Sequence, residues 1–185
     1  ILDPFMGSGT TALESQLLGI NSIGFDLSPL CILQSNVKVH SNQSLPQIKS
    51  LRGQAIDSFN SSLTSNNLME GLSSPYSSFL ESIDAVTTMN FFKLAQLLAI
   101  SEKVRRNRNF SSAFIKNLDK MISSLHDYIC AIDTLNLNLG KPDIRKADAR
   151  KLPLIDKSID GIVTSPPYSI ALDYVSNDEH SLKAL

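Results

Sequence analysis

The sequence DPFMGSGTT at residues 3–11 follows a short apolar strand and leads into a helix that is predicted over about residues 10–18. Gly7 and Gly9 allow a tight turn and let a ligand approach the backbone closely. The helix directs its N–H groups and the positive end of its dipole toward that ligand. The next predicted strand ends at Asp26, and an acidic group there can accept hydrogen bonds from ribose hydroxyls. This half of the sequence therefore indicates a nucleoside-type cofactor site.

Two other nucleotide-binding motifs are absent from this turn. Ala12 stands where a dinucleotide-binding loop has its third glycine, and no Gly-Lys-Ser/Thr sequence is present to hold a triphosphate. Both departures argue against NAD and ATP, although a nicotinamide-dependent oxidoreductase stays an alternative.

The sequence TSPPY at residues 164–168 ends another predicted strand, residues 159–164. Its two prolines cannot donate backbone hydrogen bonds and fix φ near about −65°. A stiff loop therefore carries a hydroxyl and an aromatic ring away from the end of the strand. With strands predicted over 22–26 and 143–147 and a helix opening near Ser28, the outer parts of the chain alternate strand and helix, as in a parallel α/β sheet.

The middle of the chain has almost no strand signal. Apolar residues recur at helical spacing over 79–98 and again over 110–135, whereas residues 60–78 are rich in Ser and Asn and indicate a loop. We therefore predict an α/β fold whose cofactor-binding and catalytic domain is interrupted by a helical insertion. The domain comprises residues 1–44 and 139–185, and the insertion comprises residues 45–138.

The composition excludes several classes of protein. The 185 residues are 42% apolar and 19% charged, with a net charge of −1, and no apolar run of about 18 residues predicts a membrane span. Cys31 and Cys130 have neither metal-ligand nor redox spacing, so we expect buried thiols, no metal and a reducing, cytoplasmic setting. A nucleic acid would have to bind a local basic patch. Residues 103–109 hold four cations that could contact phosphates or simply face solvent.

The two loops together resemble the amino-methylating DNA methyltransferases, which transfer a methyl group from S-adenosylmethionine to adenine N6 or cytosine N4. DPFMGSGTT resembles their cofactor loop, TSPPY their catalytic loop, and GFDLSP at residues 24–29 their acidic ribose-binding segment. KADARKLP at residues 146–153 resembles the segment whose Asp contacts the adenine of the cofactor. The residues after TSPPY, including Asp173 and Tyr174, resemble a tail found in bacterial members.

The resemblance implies a Rossmann-like class I methyltransferase sheet, incomplete in this chain, and a DNA-binding enzyme of the restriction–modification type. It also implies S-adenosylmethionine as the cofactor. Contacts with that cofactor are expected from Asp3, Pro4, Phe5, Gly7, Gly9, Thr10, Asp26 and Asp148. The expected catalytic residues are Ser165, Pro166, Pro167 and Tyr168.

The catalytic residues suit the chemistry of an exocyclic amine, whose lone pair is delocalised into the base. Ser165 Oγ and the carbonyl of Pro166 can accept the two amine hydrogens and so favour a tetrahedral nitrogen with a localised lone pair. Tyr168 can stack on a base that has left the duplex. The two prolines hold these groups in one arrangement, and no covalent enzyme intermediate is needed.

Ser165 favours cytosine N4 over adenine N6 as the methylated atom. Related enzymes methylate guanine N2 in RNA or a glutamine amide in protein, with similar loops that usually begin with Asp or Asn. These activities stay alternatives, as does a cofactor-binding or DNA-binding fragment without activity.

The motif order places the strand before TSPPY beside the first strand, where the strand order reverses and open parallel sheets bind ligands. The chain begins within a strand and ends within a helix, so we expect a fragment of a longer protein. The strand at 159–164 would then be an unpaired edge. We expect such a chain, expressed alone, to pair this edge with a second copy as a homodimer or to aggregate, with little transferase activity.

Overall fold

A computed structural model of the chain describes residues 1–64, 74–166, 182–183 and 185. These residues form two compact units. The first unit contains residues 1–40 and the described residues from Tyr128 onward to 166. The second contains Ser41–Asp127 and the described residues at the carboxyl end.

The first unit is built on a parallel sheet in the order β1-β2-β3. Leu2 of β1 pairs with Ile23 of β2, and β2 pairs with β3 along its whole length. Phe25 in the central strand is completely buried, because helices cover the sheet. The predicted parallel α/β arrangement is therefore confirmed. The strands are β1 (Leu2–Asp3), β2 (Ser22–Asp26) and β3 (Pro142–Lys146).

Two helices of this unit follow the predicted start signals. Helix α1 spans Thr10–Leu17 and helix α2 spans Pro29–His40, so the helix after the glycine turn and the helix after Ser28 are both confirmed. Gln16 of α1 is buried and forms two side-chain hydrogen bonds with other parts of the unit. Its amide Nε2 donates to the carbonyl of Val39 (3.1 Å), and its Oε1 accepts from the Tyr128 hydroxyl (2.8 Å).

The strand predicted over residues 159–164 is much shorter in the structure. Leu2 and Ile162 form a single parallel bridge, with Leu2 N–H donating to the Gly161 carbonyl (2.9 Å) and Val163 N–H donating to the Leu2 carbonyl (3.0 Å). β1 is only two residues long, and it forms a single β-bridge with this neighbouring segment. The expected position beside β1 is confirmed, and the expected length is wrong. Ile162 is 63% exposed, and the pairing of this edge with a second copy stays a prediction.

The second unit contains helices and no strand among its described residues. The prediction of a single helix over residues 79–98 is wrong, because the helical structure is interrupted between Glu81 and Val86. The loop predicted over 60–78 is also wrong at both ends: the helix before it continues to Thr64, and Ser74 caps the next one in a capping box with Ser77. The helices are α3 (Leu45–Thr64), α4 (Pro75–Glu81), α5 (Val86–Arg106) and α6 (Phe110–Leu135), with a short 3₁₀ helix at Asn42–Ser44.

Aromatic side chains form the core of the helical unit. Phe59 stacks on Phe114 with 4.0 Å between ring centroids, and the edge of Tyr76 meets Phe59 at 5.3 Å. All three side chains are fully buried. The Tyr76 hydroxyl donates to the Phe92 carbonyl at 2.9 Å, and burial raises the pKa of Tyr76 well above its usual value. These rings are packing residues, so they are unavailable for stacking on bases.

The cysteines differ from expectation. Cys31 is half-buried and Cys130 is exposed, so the prediction of two buried thiols is wrong. Cys130 lies on α6, whose buried residues are concentrated in the first half of the helix. Among the helices of the described residues, none combines the length and the apolar character that a bilayer crossing requires.

We predict that Phe114→Ala lowers the free energy of unfolding of the helical unit by about 3–5 kcal/mol, the usual cost of emptying a buried phenylalanine site. Urea denaturation followed by far-ultraviolet circular dichroism measures this change. The control is Val104→Ala on α5, where the side chain is 52% exposed, and its effect should stay within about 0.5 kcal/mol. Equal effects of the two substitutions would show that the ring cluster does not stabilise the unit.

Candidate functional site

The glycine turn after β1 is held by its own backbone. Met6 N–H donates to the Phe25 carbonyl at the end of β2 (3.0 Å), and Gly9 N–H donates back to the Met6 carbonyl (2.9 Å). Gly7 has φ +51° and Gly9 has φ +82°, a left-handed conformation that carries a steric penalty for any residue with a Cβ atom. The turn thus leads directly into α1.

The carboxylate of Asp26 binds the turn from the neighbouring strand. Its Oδ2 accepts the Gly7 N–H at 2.9 Å, and its Oδ1 accepts the Ser28 N–H at 2.8 Å. A carboxylate has about four lone-pair sites, so two remain for further donors. Asp26 is half-buried, which leaves these sites within reach of a ligand.

Helix α2 contributes two contacts to the turn that the sequence did not indicate. Ser35 Oγ donates to the Gly7 carbonyl at 3.2 Å, and Lys38 Nζ donates to Ser8 Oγ at 3.1 Å. The two residues are three positions apart, so they share one face of the helix. Partial burial lowers the pKa of Lys38. An amino group thus lies directly beside the glycine turn.

A hydrogen bond joins the two sequence motifs. Asp3 closes β1 and is buried, and its Oδ1 accepts the Phe5 N–H at 3.2 Å and the Thr164 hydroxyl at 2.8 Å. Thr164 is the first residue of TSPPY, and Ser165 and Pro166 follow it with exposed side chains. The catalytic-loop motif therefore begins beside the cofactor-loop motif. Pro167 and Tyr168 lie outside the described residues.

Asp148 lies two residues beyond β3, and the preceding N–H, that of Ala147, donates to the Asp26 carbonyl at 3.2 Å. Side-chain and backbone hydrogen bonds from Arg150 lower the pKa of the Asp148 carboxyl to about 2. The Arg150 Nε lies 3.0 Å from both carboxylate oxygens. Asp148 is therefore ionised at neutral pH, and donors of Arg150 contact both of its carboxylate oxygens.

The remaining cofactor-loop positions are open to a ligand. Pro4 is half-buried, Phe5 is 40% exposed, and Thr10 begins α1 with an exposed side chain. Among the described residues no side chain caps the amino end of α1. A Cβ added at Gly7 would meet nothing within 4 Å, so there is room above the turn.

The geometry has a simple chemical meaning. Asp3, Asp26 and Asp148 follow or end three adjacent parallel strands, so they share the carboxyl edge of the sheet. That edge offers carboxylate acceptors, an open glycine turn and a helix amino end, which together suit a nucleoside with several hydroxyl and amine donors. In the described part of the chain, His, Cys, Asp and Glu form no cluster of three that could hold a metal ion.

Comparisons with known proteins find similarity over a short stretch of the chain. Residues 1–36 match a protein family described as DNA methylase, under the label N6_N4_Mtase. A stretch of 39 residues is 56% identical to the type II methyltransferase M.MjaII of Methanocaldococcus jannaschii. A stretch of 30 residues is 67% identical to the type II methyltransferase M.BsoBI of Geobacillus stearothermophilus.

These similarities cover a small part of each protein. They amount to 21% and 16% of this chain, and to 7% and 6% of the length of the two relatives, respectively. No solved structure matches the chain significantly. The match to DNA methylases thus covers β1, the glycine turn, α1, β2 and the first part of α2, which together include Asp3, Gly7, Gly9 and Asp26.

We predict that Gly9→Ala destabilises the first unit more than Gly7→Ala. Both substitutions place a Cβ at positive φ, which costs about 1–2 kcal/mol. At Gly9 the new Cβ would also lie 2.5 Å from Ser35 Oγ, and such overpacking adds about 1–3 kcal/mol. Urea denaturation of the two variants measures the difference.

A double-mutant cycle isolates the clash. In a Ser35→Gly background the extra cost of Gly9→Ala should largely disappear, because both Ser35 side-chain atoms that the Cβ would meet are then missing. Gly53→Ala on α3 is a further control, since nothing lies within 4 Å of its added Cβ and alanine favours the helix. Additive effects of the Gly9 and Ser35 substitutions would contradict the proposed close approach.

We predict that Thr164→Val lowers the free energy of unfolding by about 1–3 kcal/mol, because the buried Asp3 carboxylate loses a hydrogen-bond donor. Thr164→Ser keeps the hydroxyl and should retain most of the stability. If the valine and serine variants unfold at the same urea concentration, the hydrogen bond between the motifs contributes nothing to stability.

Proposed function

We propose that this chain is the cofactor-binding and catalytic part of a DNA methyltransferase that uses S-adenosylmethionine. The observation that carries the proposal is the hydrogen bond from Thr164 to Asp3, because it brings the start of TSPPY to the glycine turn at one sheet edge. The match of residues 1–36 to DNA methylases supports it. The proposed fold is a Rossmann-like methyltransferase sheet, with residues 1–44 and 139–185 in one domain and 45–138 as a helical insertion.

The proposed cofactor site uses the groups already described. Asp26 accepts hydrogen bonds from the ribose hydroxyls, while Asp148 accepts from the adenine amine. Gly7 and Gly9 keep side-chain atoms away from the ligand, and the open amino end of α1 faces it. The remaining proposed contacts are Asp3, Pro4, Phe5 and Thr10. S-adenosylmethionine, when bound, supplies an electrophilic methyl group on a sulfonium sulfur.

The proposed catalytic groups act on the acceptor base. Ser165 Oγ and the Pro166 carbonyl hold the two hydrogens of the exocyclic amine, so that its lone pair is localised toward the methyl carbon. As the new N–C bond forms and the C–S bond breaks, one amine proton is released to solvent. Pro167 keeps the loop stiff, and Tyr168 stacks on the extruded base. We propose cytosine N4 as the acceptor, in preference to adenine N6, on the basis of Ser165.

The alternative enzymes have similar cofactor and catalytic loops and differ in the group that accepts the methyl. A guanine N2 in RNA or a glutamine amide in protein would need the same grip on an NH₂ group. The match of residues 1–36 to a family described as DNA methylase favours DNA as the acceptor. A fragment that binds cofactor or DNA without turnover is the remaining alternative.

We predict that Asp26→Ala weakens binding of S-adenosylhomocysteine by about 1–3 kcal/mol, the cost of leaving hydroxyl donors without an acceptor. Isothermal titration calorimetry measures the affinity, with NAD as the comparison ligand. Asp160→Ala, a carboxylate in the loop before Ile162, is the matched control and should bind normally. Unchanged affinity in Asp26→Ala would remove that residue from the cofactor site, and preference for NAD would exclude the proposed function.

We predict that Ser165→Ala lowers methyl transfer to DNA strongly while the affinity for S-adenosylhomocysteine stays within about twofold, because the hydroxyl acts on the acceptor amine. Ser158→Ala, an exposed serine whose hydroxyl donates to the Ile155 carbonyl, is the control. Transfer of labelled methyl gives the rate, and mass spectrometry of the nucleosides distinguishes N4-methylcytosine from N6-methyladenine. Full activity in Ser165→Ala would contradict its role on the amine.

A further inference from the structure

The positive charge of the chain is concentrated where α5 turns into α6. Residues 102–120, here called the basic corner, contain six Lys or Arg and two Asp or Glu, a net charge of +4. The whole chain carries −1, so the rest of the chain carries −5. The corner lies within the helical unit, and its cations are Lys103, Arg105, Arg106, Arg108, Lys116 and Lys120.

The turn itself has a defined shape. Helix α5 ends at Arg106 because Asn107 adopts a left-handed conformation, φ +47°, and returns its N–H to the Glu102 carbonyl. Asn109 Oδ1 then accepts the Ser112 N–H at 2.9 Å in the first turn of α6. Two local hydrogen bonds therefore fix the corner, and the cations project from a shaped surface.

The structure divides these cations into two kinds. Arg108 Nη1 lies 2.7 Å from Glu102 Oε2, and Lys103 Nζ donates to Asn107 Oδ1 at 3.1 Å. Although desolvation opposes it, hydrogen bonding and charge from Arg108 hold the pKa of Glu102 below its usual value. The pair thus neutralises the carboxylate that would otherwise repel an anion. Arg106 at the end of α5 and Lys116 on α6 have exposed side chains, and the charge of Lys116 also lowers the pKa of Glu102.

A cleft of about 250 Å³ lies at the corner. The residues that line it are Glu102, Arg108, Asn109, Ser112, Ala113 and Lys116, whose polar and cationic groups border a mainly apolar surface. Hydroxyl, amide and guanidinium donors of this kind are the usual contacts of phosphate oxygens.

We propose that the basic corner binds the phosphate backbone of duplex DNA, with Arg106 and Lys116 as the phosphate-contacting cations and Arg108 as the residue that neutralises Glu102. The choice of duplex DNA rests on the proposed function. The choice of this surface rests on its charge, its exposure and its cleft. The corner contacts the backbone and not the bases, so it contributes affinity without sequence preference.

Two cations of the same unit that lie outside the cleft provide a control. Asn60 contacts Ser111 and Arg52 pairs with Asp119, so α3 and α6 run antiparallel. Lys49 is therefore roughly 16 Å along α3 from Asn60, and Lys93 is roughly 20 Å along α5 from Arg106, at 1.5 Å per residue. The Lys49→Gln/Lys93→Gln pair removes the same charge as Arg106→Gln/Lys116→Gln, from residues that do not line the cleft.

The test is fluorescence anisotropy of a labelled duplex titrated with the full chain at several salt concentrations. We expect Arg106→Gln/Lys116→Gln to weaken binding roughly 10- to 60-fold near 0.1 M salt and to reduce the slope of log affinity against log salt by about 1.8, or about 0.9 for each lost phosphate contact. The Lys49→Gln/Lys93→Gln pair should leave the slope unchanged. Mutant and control slopes that fall equally would overturn the proposal, since charge alone would then explain binding.

Two further arms separate this inference from the proposed function. Calorimetry with S-adenosylhomocysteine tests the cofactor site directly, and it should be unaffected by the corner substitutions. If the chain binds this ligand but its DNA affinity ignores Arg106 and Lys116, the inference fails and the proposed function stands. If the corner substitutions weaken binding to single-stranded RNA or heparin as much as to duplex DNA, and the wild type shows no preference for duplex, the assignment to duplex DNA is overturned.

Discussion

The carboxylate of Asp26 links three parts of the chain by shared hydrogen bonds. It accepts the N–H groups of Gly7 and Ser28, so the end of β2, the glycine turn and the start of α2 share one acceptor. The backbone carbonyl of Asp26 accepts the Ala147 N–H, which links the segment after β3 to the same residue. A hydrogen bond to a charged group contributes about 1.5–3 kcal/mol, more than a neutral one. The cofactor-loop geometry thus depends on one side chain at a strand end.

The second constraint is steric. Helix α2 approaches the turn so closely that any Cβ at Gly9 would overlap Ser35, and the same helix supplies donors to Gly7 and Ser8. This close approach leaves no room for a side chain at Gly9 itself. The glycines therefore serve two purposes: Gly9 lets the helix pack, and Gly7 leaves space on the open side. A single pattern of two glycines satisfies both demands.

The sequence predicted local elements well where a single strong signal decided them. Strand β2, the helix start at Pro29 and the parallel pairing follow from short-range patterns and strand periodicity. It failed where two signals competed. Apolar spacing ran on from Phe79 into α5, and only the break between Glu81 and Val86 separates the helices. The bond between Thr164 and Asp3 spans 161 residues, so no local pattern could reveal it. The contacts of Ser35 and Lys38 are likewise tertiary.

Charge imposes a further requirement on the proposed enzyme. The edge that would hold the cofactor carries the carboxylates of Asp3, Asp26 and Asp148, which suit hydroxyl and amine donors but repel phosphates. A chain of net charge −1 with such an edge has little overall attraction for a polyanion. Affinity for DNA must then come from a separate basic surface, and the residues near Arg106 supply the densest one in the sequence. In the proposed enzyme, one surface would bind the nucleoside cofactor and a different one would supply salt-dependent affinity for the DNA backbone.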